Sequence, residues 1–299
     1  MREGGVHPES TILVTGVNGQ VGFELLRALQ GLGCVVPCDR SMLDLTDLDR
    51  VRAFVREVKP SLIVNPAAYT AVDKAETDVD AARRLNADVP RVFAEEMART
   101  GGALIHYSTD YVFDGTKPGA YTETDVTNPV NAYGATKLEG EQAIAATDCA
   151  HLILRTSWVY GRRGKNFLLT MLKLGRERPE LRVVADQVGA PTWAKTIAAA
   201  TAHIVAQSIV STDIDWLRQR TGVYHLTSAG ATSWCGFAEA IFAGTLESSA
   251  PNVVPIASTD YPTPARRPVN SRLALDKLTE TFGLRMPDWR DALELCLAE

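Results

Sequence analysis

Through the first half of the chain, short apolar runs alternate with longer stretches in which apolar residues recur at helical spacing. The runs TILVT (11–15), CVVPC (34–38), SLIVNPA (61–67), ALIHYST (103–109) and HLILRTS (151–157) read as strands. They are apolar almost throughout rather than at alternate positions, the pattern of strands covered on both faces. The stretches between them read as helices. GQVGFELLRALQGLG (19–33) ends on glycines, and DLTDLDRVRAFVREVKP (44–60) opens on an Asp or Thr cap and stops at Pro60. DAARRLNADVPRVFAEEMARTG (80–101) reads as one long helix, and NAYGATKLEGEQAIAAT (131–147) as another. Strand–helix alternation of this kind implies an α/β fold, a doubly wound parallel sheet of Rossmann-like form.

The pattern changes after Tyr160. A loop and helix (161–181), a short strand RVVADQ (182–187), a helix (192–209) and a strand and turn VYHLTSAG (223–230) follow, then mixed sequence with proline-rich YPTPARRP (261–268). Residues 1–156, rejoined by 189–227, are expected to form a nucleotide-binding domain. Residues 157–188 and 228–299 are expected to form most of a smaller, interleaved substrate-binding domain. MREGGVHPES has no apolar signal segment and is expected to be a loose tail.

Composition narrows the class. Of 299 residues, 45% are hydrophobic and 22% charged, and the formal net charge is −5 with no basic run. Neither a nucleic-acid partner nor a membrane span is expected. Five scattered cysteines fit buried thiols in a reducing cytoplasm. Five scattered histidines offer no metal-ligand spacing, so no metal is assigned, and packing is the expected job of His106 within its strand.

The candidate chemistry begins after the first strand. Gly16, Gly19 and Gly22 make a GxxGxxG turn running into a helix, with Asn18, Gln20 and Val21 inside it. Glycines there permit a tight turn, close approach of a pyrophosphate and close helix packing, and the helix N-terminus attracts phosphate. Asp39, after the second strand, suits a ribose hydroxyl, whereas Arg40 suits a 2′-phosphate; together they leave NADH and NADPH both open. Asp44 and Leu45 are candidates for the adenine side, with capping of the next helix as the other job for Asp44. Tyr133 and Lys137 stand four apart on a helix and share a face. A phenol beside an ammonium is a proton donor of lowered pKa, and a hydroxyl at the end of the fourth strand, Ser108 or Thr109, can hold a carbonyl oxygen beside it.

TGxxGxxG, the strand-end hydroxyl and YxxxK resemble the signature of the extended short-chain dehydrogenase/reductases. NPAAYTAVDKAE, HYSTDYVFDG, NPVNAYGATKLEGE, LILRTSWVYG, VVADQVGAPTWA, YHLTSAGATSW and YPTPARRPVNSRL narrow this to a resemblance to the dTDP-4-dehydrorhamnose reductase family, from residue 11 to about 295. The resemblance implies hydride transfer from NADH or NADPH to C4 of dTDP-6-deoxy-L-lyxo-4-hexulose. It implies Tyr133 as proton donor, Lys137 as its support and Thr109, rather than Ser108, on the keto oxygen. Asp110, Tyr111 and Phe113 fall in the family's sugar-binding loop. Ala67 and Ala68 leave room for the cofactor and Tyr69 edges it. Trp158 is expected to floor the sugar pocket, and Asn166, Gln187 and Arg267 to meet the nucleotide half, the Arg267 fork suiting a diphosphate. Some relatives dimerise through magnesium held by glutamates; Glu24 matches one such position, but Lys195 stands at another, so monomer and homodimer both stay open. A 4-ketoreductase for another dTDP-deoxysugar shares this core. A non-catalytic regulatory subunit is the third reading, and the intact Tyr133–Lys137 pair argues against it.

Overall fold

The structure, a computed structural model, describes residues 10–211, 213, 215–245 and 250–299. The expected N-terminal tail, apart from Ser10, lies outside the described residues. Six parallel strands form the central sheet: β1 (Thr11–Val14), β2 (Cys34–Pro37), β3 (Leu62–Asn65), β4 (Ala103–Thr109), β5 (Ala150–Thr156) and β10 (Gly222–His225). Their spatial order is β10-β5-β4-β3-β1-β2. Register is continuous across the middle, from Leu62 beside Ala103 to Thr109 beside Thr156.

Both faces are covered, as the unbroken apolar strands require. On one face α1 (Gln20–Ala28) and α8 (Ala194–Val210) pack Leu25, Ile197, Ile204 and Val205 against Ile12, Val14 and Ile105. On the other, α2 (Leu48–Val58) and α5 (Val89–Thr100) pack Phe54, Val92 and Phe93 against Leu13, Ile63 and Leu104. Asp47, not Asp44, caps α2 by accepting from the Arg50 N–H.

The helix expected over 80–101 is interrupted. Two short helices, α3 (Val72–Ala75) and α4 (Val79–Arg83), lead into a π-helical turn at Arg84–Asp88 before α5. Pro90 in the first turn of α5 has no N–H to give a carbonyl four residues back, so the carbonyl of Asn86 loses its helical partner. The helix α6 (Ala132–Ala145) fills that place with a glycine. A Cβ on Gly140 would lie 2.0 Å from the Asn86 oxygen, and one on Gly134 would lie 2.1 Å from the Tyr111 oxygen. Only glycine lets α6 sit this deep.

A second unit holds its own core. It contains β6 (Val159–Tyr160), α7 (Phe167–Glu177), β7 (Glu180–Val184), β8 (Val188–Gly189), β9 (Thr192–Trp193), β11 (Thr232–Ser233), α9 (Trp234–Ala243), β12 (Asn252–Ile256) and α11 (Trp289–Ala298). Leu168, Leu181, Phe237, Ile241 and Trp289 pack at its centre. Leu278 and Phe282 of α10 (Asp276–Phe282), by contrast, join the core beneath β10. Among the described residues no helix is long and apolar enough to cross a membrane.

Because the gap at Gly140 is closed by a backbone oxygen, Gly140→Ala should destabilise the chain by about 1–3 kcal/mol, the range for overpacking a well-filled interior. Gly119, where a Cβ meets nothing within 4 Å, supplies the control. Urea unfolding checks this: the Gly140→Ala midpoint falls and the Gly119→Ala midpoint does not.

Candidate active site

The chain leaves β1 toward β2 and returns to β3 on the other side of β1, so a crevice opens at the carboxyl ends of β1 and β3. Gly16 sits there with φ of 56°, and a Cβ on it would lie 3.0 Å from the backbone of Ala67. A Cβ on Gly22 would lie 2.3 Å from the Gly16 oxygen, and the Gly19 N–H donates to that same oxygen at 2.9 Å. The turn is therefore a cradle that side chains would fill. No side chain caps α1 and no acid stands in its first turn, so its opening N–H groups remain suited to a phosphate. Val21 packs beneath the turn.

Asn18 donates to Asp39 Oδ2 at 3.3 Å, while Asp39 Oδ1 accepts from the Ser41 hydroxyl and amide and from the Met42 amide. The Ser41 hydroxyl foremost, and these amides, hold the carboxyl below its usual range. Asp44 accepts from the Thr46 amide and hydroxyl, which hold its carboxyl below the usual range, and the exposed Arg40 adds to this. Leu45 packs into the α2 side of the core. Ala68 follows Ala67 in the loop after β3. Tyr69 donates its N–H to Asn86 Oδ1 at 2.8 Å and its hydroxyl to Asp78 at 3.0 Å.

The turn after β4 and the opening of α6 bring Thr109, Asp110, Tyr111 and Tyr133 together. Asn131 caps α6 through the Gly134 N–H, which fixes where Tyr133 and Lys137 emerge. The Tyr111 and Tyr133 rings meet edge to face at 5.9 Å. Burial pushes the Tyr133 phenol above its usual value, the Asp110 carboxylate adds to this, and the nearby Thr109 hydroxyl opposes it. The phenol is thus held in its protonated form, and the expected lowering by Lys137 is not the dominant influence. Lys137 is 1% exposed, and its Nζ reaches the Tyr107 carbonyl at 2.6 Å and His106 Nε2 at 3.0 Å. Burial pulls its pKa down to about 7, against the pull of the Glu141 carboxylate. Glu141 is itself held by a buried two-point pair with Arg155, at 2.9 and 2.6 Å.

Strand alternation sends Ser108 to the face opposite Thr109, where its hydroxyl is buried with no partner among the described residues. Thr109 Oγ1 donates to Asp110 Oδ1 at 3.0 Å and accepts from the Tyr111 N–H. Asp110 Oδ2 has no hydrogen-bond partner among the described residues; the Ser271 hydroxyl is near enough to favour the charge but outside bonding geometry. Burial pushes the Asp110 carboxyl up to about 6.

Several expected contacts are committed elsewhere. Phe113 turns inward, stacked on Tyr121 at 4.1 Å with the Arg155 guanidinium 5.0 Å above its ring, so it is core and not pocket wall. Asn166 caps α7 through the Leu169 N–H and donates to Gln20 and to the Gly161 and Arg163 carbonyls, which uses its whole amide. It ties the 161–166 loop to α1, and Gln20 completes the tie by donating to the Val159 carbonyl. Arg267 gives Nη1 and Nη2 to Asp73, with Thr263 and the Ala265 carbonyl on Nη1 as well. Its Nε makes no hydrogen bond among the described residues. Trp158 carries φ of 47° and stacks on Trp234 at 3.6 Å, with Gly189 pressed against its ring. Gln187 stands half-buried between β7 and β8. Lys195 pairs with Glu299, with Glu24 close by, and no group of metal-ligating side chains occurs among the described residues.

The sequence reading missed Asn86, Asp73, Trp234 and the polar side of His106. Asn86 is fully buried and bonds Tyr69 on one side and Thr136 of α6 on the other, which couples the loop after β3 to the tyrosine helix. Its only signal was a polar residue ahead of a proline inside a helical pattern.

A glycine cradle at the sheet's switch point, with a strand-end threonine beside a Tyr-x-x-x-Lys pair, defines an extended short-chain dehydrogenase/reductase. The chain belongs to the RmlD substrate binding domain family, whose model matches residues 10–299. It is 51% identical to a dTDP-4-dehydrorhamnose reductase of Burkholderia thailandensis over 96% of this chain and 98% of the relative. It is 43% identical to one of Escherichia coli, over 96% and 97%. A crystal structure of dTDP-4-dehydrorhamnose reductase from Bacillus anthracis in complex with NADP superposes with a TM-score of 0.88 at 35% identity, covering 97% of this chain and 99% of that one.

Asp110 gives a stability test. Its folded pKa is raised, so its contribution is greatest below the ordinary carboxylate range and is lost as pH rises through about 6. Asp110→Asn removes that loss. Denaturant unfolding should find the variant more stable than the parent at pH 7, by on the order of 2 kcal/mol, with the gap closing near pH 4.

Proposed function

We propose that the chain reduces the C4 keto group of dTDP-4-dehydro-L-rhamnose with NADH or NADPH, giving dTDP-L-rhamnose. The observation that carries the chemistry is the Tyr133 phenol, kept protonated with the Thr109 hydroxyl close by, one helical turn from the buried Lys137. A group that must give up a proton needs to hold it at neutral pH, and a raised phenol does. The bound NAD(P)H supplies the hydride. The chain's own residues do the rest in this reading: the Gly16–Gly22 turn and the start of α1 bind phosphate, Thr109 orients the keto oxygen, Tyr133 protonates it, and Lys137 supports the phenol and a ribose. Asp39 and Arg40 admit either dinucleotide.

Asp110, Tyr111, Trp158 and Gln187 are assigned to the sugar nucleotide, with the free Nε edge of Arg267 toward its diphosphate. We assign residues 1–156 and 189–227 to the cofactor half and most of 157–188 and 228–299 to the substrate half; β10 in the main sheet and α8 against α1 support this division. The reaction is assigned to the cytoplasm, where reduced dinucleotide is regenerated, and a monomer or homodimer suffices for it.

Incubation with the 4-keto sugar nucleotide and 4-deuterated NADPH should place deuterium at C4, read by NMR. Label at another carbon, or no turnover despite tight cofactor binding, would sink the reading. Tyr133→Phe should lower kcat by about 10²–10⁴-fold or more while leaving the NADPH Kd within about twofold, because it deletes the proton donor and keeps the ring. A near-parental rate for this variant would make the phenol dispensable.

A further inference from the structure

Lys137 is fed by a chain of hydrogen bonds that the established signature does not include. It starts beyond the end of β1 and crosses two neighbouring strands. Thr15 Oγ1 donates to Asn65 Oδ1 at 2.6 Å. Asn65 Nδ2 stands 3.0 Å from His106 Nδ1, and His106 Nε2 stands 3.0 Å from Lys137 Nζ. Thr15, Asn65 and His106 are all 0% exposed, so water does not interrupt the sequence of donors and acceptors.

The direction of each bond follows from the one before. With the Thr15 hydrogen on Oδ1, the amide nitrogen of Asn65 faces the ring, and an NH₂ can only donate. His106 Nδ1 therefore accepts. A neutral imidazole then carries its hydrogen on Nε2, the nitrogen that faces Lys137. A ring N–H needs a lone pair, which an ammonium lacks and an amine has. The Lys137 amine takes that hydrogen bond and donates its own N–H to the Tyr107 carbonyl.

We infer that His106 is a positioning residue for Lys137: oriented by Thr15 and Asn65, it presents a ring N–H to Nζ and favours the uncharged amine. The opposite chain needs the Asn65 amide turned end over end, which takes the acceptor of the buried Thr15 hydrogen away. An imidazolium is opposed foremost by complete burial, which pushes the His106 pKa well below its usual value; the Asn65 backbone carbonyl pulls the other way without reversing it. The charged groups around Lys137 do not reverse this. Glu141 on its own helix favours the ammonium, but Arg155 of β5 holds both Glu141 oxygens. Asp110, in the turn after β4, acts on Tyr133, and neither is among the influences on Lys137. The lowered Lys137 pKa, about 7, agrees with the geometry. The consequence is that the charge Lys137 carries in its proposed support of the phenol and ribose is set by the ring tautomer of His106.

The inference rests on the reading of Lys137 as part of the reductase site, yet its test needs no substrate. In full-length protein with ¹⁵N-labelled histidine, at about pH 8, ring ¹⁵N shifts tell which nitrogen carries the hydrogen. Nε2 protonated and Nδ1 bare is the expected result; the reverse tautomer, or an imidazolium, overturns the inference. Asn65→Asp is the second arm. A carboxylate still accepts from Thr15 but must also accept from the ring, which forces the hydrogen to Nδ1 and leaves Nε2 to accept from an ammonium. The tautomer should reverse and the Lys137 midpoint, followed by its ¹³Cε shift, should rise by more than about one pH unit. A raised midpoint with an unchanged tautomer means bulk electrostatics and not the His106 bond, and it overturns the inference as an unchanged midpoint does. If the variant fails to fold, the parent tautomer alone decides. Loss of deuterium transfer to C4 in the parent protein would overturn the reductase reading and leave this measurement standing.

Discussion

The site depends on how close α6 can come to the chain beneath it. Gly134 lies over the Tyr111 carbonyl and Gly140 over the Asn86 carbonyl, at distances no Cβ can share. The first contact adjoins Tyr133 and the second lies three residues past Lys137. They put the phenol beside the Thr109 hydroxyl and bury Nζ against β4. The second contact exists because Pro90 frees the Asn86 carbonyl at the π-helical turn. Asn86 then uses its side chain to hold Tyr69 and Thr136, so the loop beside the glycine cradle and the helix of the proton donor move as one piece.

Depth has an electrostatic cost that the surrounding residues answer in different ways. Lys137 is buried without a carboxylate of its own, and its proton becomes easy to lose near neutrality. Arg155 and Glu141 are equally deep but neutralise one another by a two-point pair. Asp110 is buried beside hydroxyls only and drifts upward. Four ionisable groups near one another thus have different charge tendencies, and the differences follow from which partner each one reaches. A site that handles a proton and a hydride together benefits from such separation.

On the other side of the crevice, order comes from side chains that tie loops together. Asn166 joins the 161–166 loop to the start of α1, and Asp73 fixes the arginine of the TPARRP segment. Trp158 is held in a left-handed backbone conformation by a stack on Trp234 and the close passage of Gly189. These arrangements link the two halves of the chain around the cradle.

The strands, their parallel order and the glycine turn were legible in the sequence because they rest on local rules: unbroken apolar runs must be covered on both faces, and a glycine run between strand and helix has few uses. The i, i+4 spacing of Tyr133 and Lys137 likewise fixed their shared face before any fold was known. The π-helical break in 80–101 was not read from the sequence although Pro90 lies at it, because what covers the freed Asn86 carbonyl, Gly140 of another helix, lies over fifty residues away. Phe113 and Asn166 were misplaced for the same reason, since a loop residue's neighbours are chosen by packing and not by spacing. His106 shows the limit most clearly. Alternation put it on a strand and called it core, which it is, but its chemistry comes from Asn65 and Lys137 meeting its two ring nitrogens. Sequence determined which groups were present and on which element; only the tertiary structure decided which donor faces which acceptor, because hydrogen bonds act across about 3 Å of space whatever the distance along the chain.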